Sequence, residues 1–380
     1  MNILEAKQSC IGCGACVDSC PASVLELGRD AKGFLVPRLK TEACLDCGAC
    51  LGVCPLLAPA SAAPEGRTYA YGWLRDETLR GASTSGGAFS ALADAVQKEG
   101  GAVFAAAYTE DHRGVRMASA GEVGMDALRG TKYCQSDPDH VLRKSAEALK
   151  TGKPVLLVGT PCVIAAARNT LGRNDRLLLA DFFCGGVVPA SVLRAYTEEL
   201  ERRHGAAIDG MNMRDKSRGW HKPRILVRFE NGKTYSSVYH YDYFLHYYYT
   251  PYLKNEPCLT CPFVGHGSAD ITLGDFWGYR KAGIESDDRG ISLICANTER
   301  GREWAERLRG AMELKELPAS AAAYAYKEKS FSAEQLKKRA EVQAVFHGDN
   351  FLETAKRFDF RYGVPGIVLK QVLKKLRLRR

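Results

Sequence analysis

The stretch Cys10–Pro21, CIGCGACVDSCP, recurs as CLDCGACLGVCP at Cys44–Pro55. Each copy spaces its thiols C-x2-C-x2-C-x3-C and closes on a proline. Gly12, Gly14 and Gly48 allow the tight backbone that turns three sulfurs toward one centre. The proline lets the chain leave without a donor that needs a partner. Such a run holds a [4Fe-4S] cluster, and the fourth cysteine of each run crosses to the cluster of the other. The ligand sets that follow are Cys10, Cys13, Cys16 and Cys54, and Cys44, Cys47, Cys50 and Cys20. Zinc is the alternative, because CxxC pairs bind it too. Zinc sites, however, take two pairs separated by a longer loop and have no use for a third cysteine at the same spacing.

Far more chain follows than a small ferredoxin needs. The protein has 380 residues, 46% hydrophobic and 26% charged, an ordinary globular mixture long enough for two or three domains. Fourteen cysteines in such a length point to metal in a reducing compartment rather than to a disulfide framework. The start, MNILEAKQSC, lacks a basic then apolar leader, and no apolar stretch approaches the roughly 20 residues of a spanning helix. A cytoplasmic protein is the expectation. The net charge of +9 is concentrated at the C-terminus: Lys356–Arg380 holds nine Lys/Arg and one Asp. The remainder is close to neutral, which argues against a nucleic-acid binder, since that would need a basic face on the fold.

After an Ala/Pro-rich linker the pattern turns α/β. Arg67–Leu74 reads as a strand, 83–101 as a helix with a Ser/Gly-rich start, and 102–108 as a second strand, together a βαβ unit. Strands at 154–162 and 176–184 alternate with helices at 145–153, at 163–171 and at 190–205, which implies a mostly parallel sheet. Residues 224–236 read as a hairpin turning at Asn231-Gly232. The expected organisation is a ferredoxin-like α+β domain (1–58), a linker (59–67), an α/β body in two parts (68–150 and 151–320) and a helical, basic extension (321–380).

Four more cysteines stand out. Cys162 and Cys184 fall just past the C-terminal ends of two predicted strands, the edge of an α/β sheet where sites form. Cys258 and Cys261 make a further CxxC. Were the strands neighbours, the four thiols would complete an S4 set suited to iron–sulfur or zinc. The other reading makes Cys162 and Cys184 small core residues. Cys134 and Cys295 have no cysteine near them in sequence and read as core thiols.

Several segments in order, GASTSGGAFSALA (81–93), GTKYCQS (130–136), GTPCVIAAAR (159–168), FCGGVVP (183–189), NMRDKSRGW (212–220), CLTCPF (258–263), ADITLGDFWG (269–278) and GISLICANT (290–298), resemble the coenzyme F420 hydrogenase/dehydrogenase beta-subunit family. The resemblance implies a flavin-binding body with FAD and a third [4Fe-4S] cluster. It also implies an oxidoreductase passing electrons between clusters and flavin to an organic or deazaflavin-type acceptor. Its bacterial branch with an N-terminal two-cluster domain often lies beside polysaccharide genes. A ferredoxin-like electron-transfer protein and a small-molecule acceptor are the partners implied. Two departures stand out: Cys134 replaces a more usual aliphatic residue, and Gly185 a more usual His. The rival roles are a relay subunit without chemistry of its own and a redox sensor.

For the flavin, Ser83, Thr84, Ser85, Gly86 and Gly87 open a helix after a strand, offering free N–H groups to a diphosphate; a plain N-cap is the other reading. Lys132 and Gln135 are placed to hydrogen-bond ring or phosphate. Lys216, beside Arg214, is placed to stabilise a reduced flavin, and otherwise these are solvated charges. Asp275 is a candidate proton donor or ribose acceptor, or a turn residue. Lys216 and Asp275 are the catalytic candidates. The tyrosine-rich run 235–252 has the chemistry to wall a flat substrate or to cover a cluster from water, and the favoured reading is aromatic packing or a partner surface. His221, His240 and His246 lack metal spacing. Residues 365–380 form a basic amphipathic pattern suited either to an anionic membrane surface or to docking on the protein's own domain.

Overall fold

The computed structural model describes residues 2–6, 9–59, 66–238, 241–265, 268–323 and 330–358. The N-terminal module is built on an antiparallel hairpin, β1 (Leu25–Arg29) and β2 (Leu35–Leu39), with Leu25 opposite Leu39. Each cysteine run winds into one helical turn, Ala15–Asp18 and Ala49–Gly52, reached through a left-handed glycine, Gly14 (φ 75°) or Gly48 (φ 73°). Two residues earlier the copies differ, with Gly12 at φ 73° and Asp46 at φ 47°. Aspartate is one of the few residues that tolerates this region. Ile3, Val24, Leu25, Cys16 and Cys50 form the module's own core. So few buried side chains hold about fifty residues only with help from metal or docking.

The body contributes β3 (Thr68–Leu74), β4 (Ala102–Tyr108), β5 (Val115–Ser119), β6 (Val155–Val158) and β7 (Leu177–Phe182). Next come β8 (Ile208–Asp215), β9 (Arg224–Phe229) and β10 (Thr234–Ser237), then β11 (Ile271–Asp275), β12 (Ser292–Ala296) and β13 (Met312–Glu316). Eight of these form one sheet in the order β13-β3-β12-β11-β7-β6-β4-β5, and β10-β9-β8 form a small antiparallel sheet. The centre, β11-β7-β6-β4, is parallel, and its flanks pair antiparallel. With β3 pointing the same way, most strands of the large sheet share one direction, so the body is α/β around a mixed, mostly parallel sheet.

Side chains alternate across this sheet as the pleat requires. Val103, Leu156, Leu178 and Leu273 face the helices Ala88–Lys98 and Glu299–Arg307. Phe104, Leu157 and Leu179 face Val141–Leu149 and Pro161–Leu171, and Cys13 and Ala15 of the module join that layer. A further core gathers the small sheet and the helices Ala190–His204, Tyr243–Tyr249, Ala333–Val345 and Phe351–Arg357.

Two expectations are corrected. The βαβ unit exists in direction but not in adjacency, because β12, β11, β7 and β6 lie between β3 and β4. The helix expected from residue 83 begins at Ala88, because Ser83–Gly87 fold into a turn under β12. Most of the linker (60–65), His240 and the basic stretch 365–380 lie outside the described residues. Among the described residues, no helix is long and apolar enough to cross a membrane.

Candidate functional site

The module gathers its thiols as the crossed ligand sets require. Cys13 lies close enough to Cys16, Cys10 and Cys54 for all three to act on it electrostatically. Cys20, Cys44, Cys47 and Cys50 line a single pocket. The two groups adjoin, since Cys50 also acts on Cys16. Burial pushes the Cys16 thiol up to about 12 and Cys13 higher still, and neighbouring sulfurs add to the rise. Buried, crowded thiols of this kind ionise when iron supplies positive charge. The backbone N–H of Gly12 donates to Cys10 Sγ at 3.3 Å, a contact that favours a thiolate.

Cys162 and Cys184 do come together. Their strands β6 and β7 are parallel neighbours, Val155 opposite Leu177, and the thiols emerge just beyond the same sheet edge. Cys184, Cys258 and Cys261 all act on Cys162, so the four thiols share one locality. Burial raises Cys162 and Cys258 and pushes Cys184 up to about 12. Here too a backbone amide serves a sulfur: Gly186 N–H donates to Cys184 Sγ at 3.3 Å. Among the described residues, no group of three or more His, Cys, Asp or Glu is spaced for a single metal ion. A four-iron cube spreads its thiolates wider than one ion does, and the donor set fits it.

The inner thiols are docked against this third group. Asn255 Nδ2 donates to the carbonyl of Cys10 at 2.9 Å, and its own N–H donates to Val187. Gln135 bridges from the body to the module, accepting from Leu35 N–H (2.9 Å) and donating to the Ile11 carbonyl (3.2 Å). Asp18 bonds His140 Nδ1 at 2.6 Å. From the outside, Arg339 donates to the carbonyls of Pro251, Tyr252 and Lys254, fixing the segment that carries Cys258.

Away from the thiols runs an aromatic bridge. Cys184 and Cys258 act on Tyr248, whose ring stacks on Tyr133 with centroids 4.0 Å apart. Tyr133 lies beside Arg214 and Asp275. Arg214 and Asp275 form a two-pronged ion pair, and Trp220 Nε1 donates to the same carboxylate at 2.9 Å. Trp220 is fully buried and stacks on Trp277 (4.2 Å, 6° between planes), which is 45% exposed. The Arg214 guanidinium lies 5.6 Å from the Trp277 ring. A flat, half-exposed indole beside a buried cation suits the ring of a flavin.

The remaining flavin candidates are placed differently. Gly86 and Ala88 N–H both donate to Ser292 Oγ, and Gly87 N–H donates to Thr84. Ser83 pairs with Ser90, and Ser85 donates to the Ile291 carbonyl. The expected free N–H groups of this turn are therefore engaged at 86–88, because Gly86 must fit against β3, where a Cβ would lie 2.3 Å from the Gly72 carbonyl. Lys216 spends its ammonium on the carbonyls of Arg80, Ser85 and Arg289 and so ties two loops together; burial lowers it to about 8. Lys132 caps the Ala127, Arg129 and Gly130 carbonyls, and burial lowers it to about 7. Gln135 serves the module junction. Asp275 is the partner of Arg214: burial raises its pKa, but the Arg214 guanidinium outweighs that and holds the carboxyl below the usual range, which disfavours the proton-donor role.

While Tyr248 falls in the tyrosine-rich run read as able to cover a cluster, sequence reasoning missed Tyr133 and Asn255, whose roles depend on neighbours remote in sequence. It also missed the chain in which Tyr279 Oη meets His221 Nε2 at 2.6 Å while His221 Nδ1 meets Asp288. Cys134 and Cys295 are buried, as expected of core thiols.

A family model describing the C-terminal part of the coenzyme F420 hydrogenase/dehydrogenase beta chain matches residues 152–320, and one described as a 4Fe-4S dicluster domain matches residues 9–58. No curated protein matches. Among solved structures, a chain of the xenon-derivatised F420-reducing [NiFe] hydrogenase complex from Methanosarcina barkeri is 18% identical. That match covers 81% of this chain and 96% of the other, with a TM-score of 0.47.

Proposed function

We propose, from the match of residues 152–320 to the family model of the coenzyme F420 hydrogenase/dehydrogenase beta subunit and of residues 9–58 to that of a 4Fe-4S dicluster domain, that the protein is an iron–sulfur flavoprotein oxidoreductase of that family. It uses electrons from a ferredoxin-like donor to reduce an organic or deazaflavin-type acceptor. In this reading Cys10, Cys13, Cys16 and Cys54 hold an inner [4Fe-4S] cluster, and Cys20, Cys44, Cys47 and Cys50 an outer one. Cys162, Cys184, Cys258 and Cys261 hold a third. Trp277, Tyr133 and Arg214 hold the ring of FAD. Bound there, FAD would exchange single electrons with the clusters for a two-electron step at the acceptor.

The protein's own groups have separable tasks. Arg214, kept in place by Asp275, presents positive charge to the ring site. Tyr248 and Tyr133 fill the space between the third thiols and Arg214 and keep water out of it. Lys216 holds the 80–85 and 289 loops at a fixed distance. The observation that carries the reading is continuity: Cys50 adjoins Cys16, the Cys10 carbonyl is held by Asn255 three residues before Cys258, and Cys258 adjoins Tyr248.

Anaerobic purification with iron, sulfide and flavin measured per chain tests it. Three cubes give about 12 iron, and about 8 would overturn the third ligand set. Protein reconstituted with FAD that retains none on gel filtration overturns the ring site. Turnover of a deazaflavin by the isolated chain with reduced viologen separates an enzyme from a relay.

A further inference from the structure

Lys254 is a buried cation that the electron route just described does not use. Its side chain is 1% exposed. Its Nζ donates to the Tyr248 carbonyl at 2.5 Å and lies 4.3 Å from the centroid of the Tyr248 ring. Its stem runs beside the third thiol group. A Cβ added at Gly186 would lie 2.9 Å from Cys258 Cβ and 3.1 Å from Lys254 Cδ, so glycine there lets the cation and the thiol close on the same point. Gly186 also has φ 85°, which disfavours any side chain. Lys254 lies near enough to both Cys184 and Cys258 for its charge to act on them.

Taking an ammonium out of water costs heavily unless negative charge stands near it. Four thiolates around a four-iron cube supply that charge, and one-electron reduction makes it more negative. A cation held close in a low-dielectric interior favours the reduced form more than the oxidised one. We propose that Lys254 is a positioning and charge-compensating residue for the cluster at Cys162, Cys184, Cys258 and Cys261, and that it raises that cluster's reduction potential above what the thiolates alone would give. This rests on the third-cluster reading. The electron count is that of a simple one-electron couple: the oxidised cluster takes one electron from its neighbour, and no bond to Lys254 forms or breaks.

The test is an EPR-monitored redox titration of anaerobically purified full-length protein, with iron counted in parallel. Cys258→Ser identifies the signal: it should remove one of the three and about 4 iron. Lys254→Met should keep the iron but lower the reduction equilibrium constant of that signal about tenfold, 59 mV for a one-electron couple, with the other two unmoved. Lys254→Arg should restore most of the shift. Full iron with an unmoved potential in Lys254→Met overturns the inference and leaves the third cluster standing. Wild-type iron in Cys258→Ser overturns the third cluster itself. Should Lys254→Met lose the cluster, retention in Lys254→Arg supports the role of charge, and loss in both overturns it. If Lys254→Met does not fold, Lys254→Gln is titrated instead, and an unshifted potential there overturns the inference.

Discussion

In the first cysteine run a methyl group added at Gly12 would lie 2.5 Å from the Gln135 amide, and one at Gly14 would lie 2.7 Å from the Pro138 ring. At Gly48, the counterpart of Gly14, it would meet nothing within 4 Å. The two runs share a thiol spacing and a left-handed glycine before the helical turn, but the first is pressed more closely against the body, which meets the second only near its end, where Val53 packs on a body core and Asn169 Nδ2 donates to the Val53 and Ala58 carbonyls. Cys13 and Cys16 are buried, whereas Cys47 is exposed and Leu45 beside it is 67% exposed. Asp18 of the first run is held by His140, and its place in the second run is taken by Gly52. Duplicated local chemistry has thus been given an inner and an outer position.

The strongest way to break this comparison is to remove one crossing ligand from each side. Cys54→Ser should cost about 4 iron and stop transfer from the outer thiols to the body. Cys20→Ser should cost the same iron but leave the inner cluster reducible by dithionite. If EPR shows the two variants losing the opposite signals, the crossed assignment is wrong.

Next in size is Gly12→Ala. Its Cβ meets the Gln135 amide and the Leu35 carbonyl (2.9 Å) at a positive φ. Left-handed strain of about 1–2 kcal/mol and overpacking of about 1–3 kcal/mol should add up to a marked fall in the denaturation midpoint. The amide cannot simply step aside, because it holds Leu35 and Ile11 at once.

A body-side probe sharpens the contrast by changing stability without touching the junction. Asp181 on β7 is 2% exposed, and burial pushes its carboxyl up to about 7, against hydrogen bonding from Thr272 and the charge of Arg67. Between its unfolded value near 3.8 and about 7 the folded chain holds a proton that the unfolded chain has lost. Stability therefore falls as pH rises through that window and levels off above it. Asp181→Asn should flatten this slope and raise the melting temperature at pH 8, with a gain on the order of 2 kcal/mol. An unchanged slope in calorimetry at pH 5 and 8 would refute the assignment.

The smallest effect belongs to Gly48→Ala. With open space around it, only the positive φ opposes the methyl group, about 1–2 kcal/mol. Equal melting shifts at Gly12 and Gly48 would show that the two runs do not differ in docking after all.

Legibility in the sequence followed the range of the contacts involved. The cysteine runs declare a ligand spacing within a dozen residues, and the strands read at 67–74, 102–108 and 176–184 declare themselves by apolar runs bounded by turns and form within a residue or two of those bounds. Cys162 and Cys184 were visible as strand-end thiols, but that their strands are neighbours depends on the pairing of Val155 with Leu177. The turn at 83–87 misled because a Ser/Gly-rich helix start looks the same whether its N–H groups await a phosphate or are met by Ser292. Lys216, Lys132 and Gln135 read as ligand-facing polar groups, and each turned out to serve backbone carbonyls or a domain junction. Asp275 could not be read as ionised until Arg214 stood beside it.

By itself the sequence determined the chemistry of each short segment: which thiols share a loop, which glycines must turn, which stretches make strands. Those outcomes depend on residues a few positions apart, where backbone geometry leaves little choice. Tertiary structure alone decided which thiols from distant segments meet, which cysteine run faces the body, and which cations are spent on carbonyls. Those are settled by strand order and by the matching of surfaces during packing, and neither is written in any one stretch of chain.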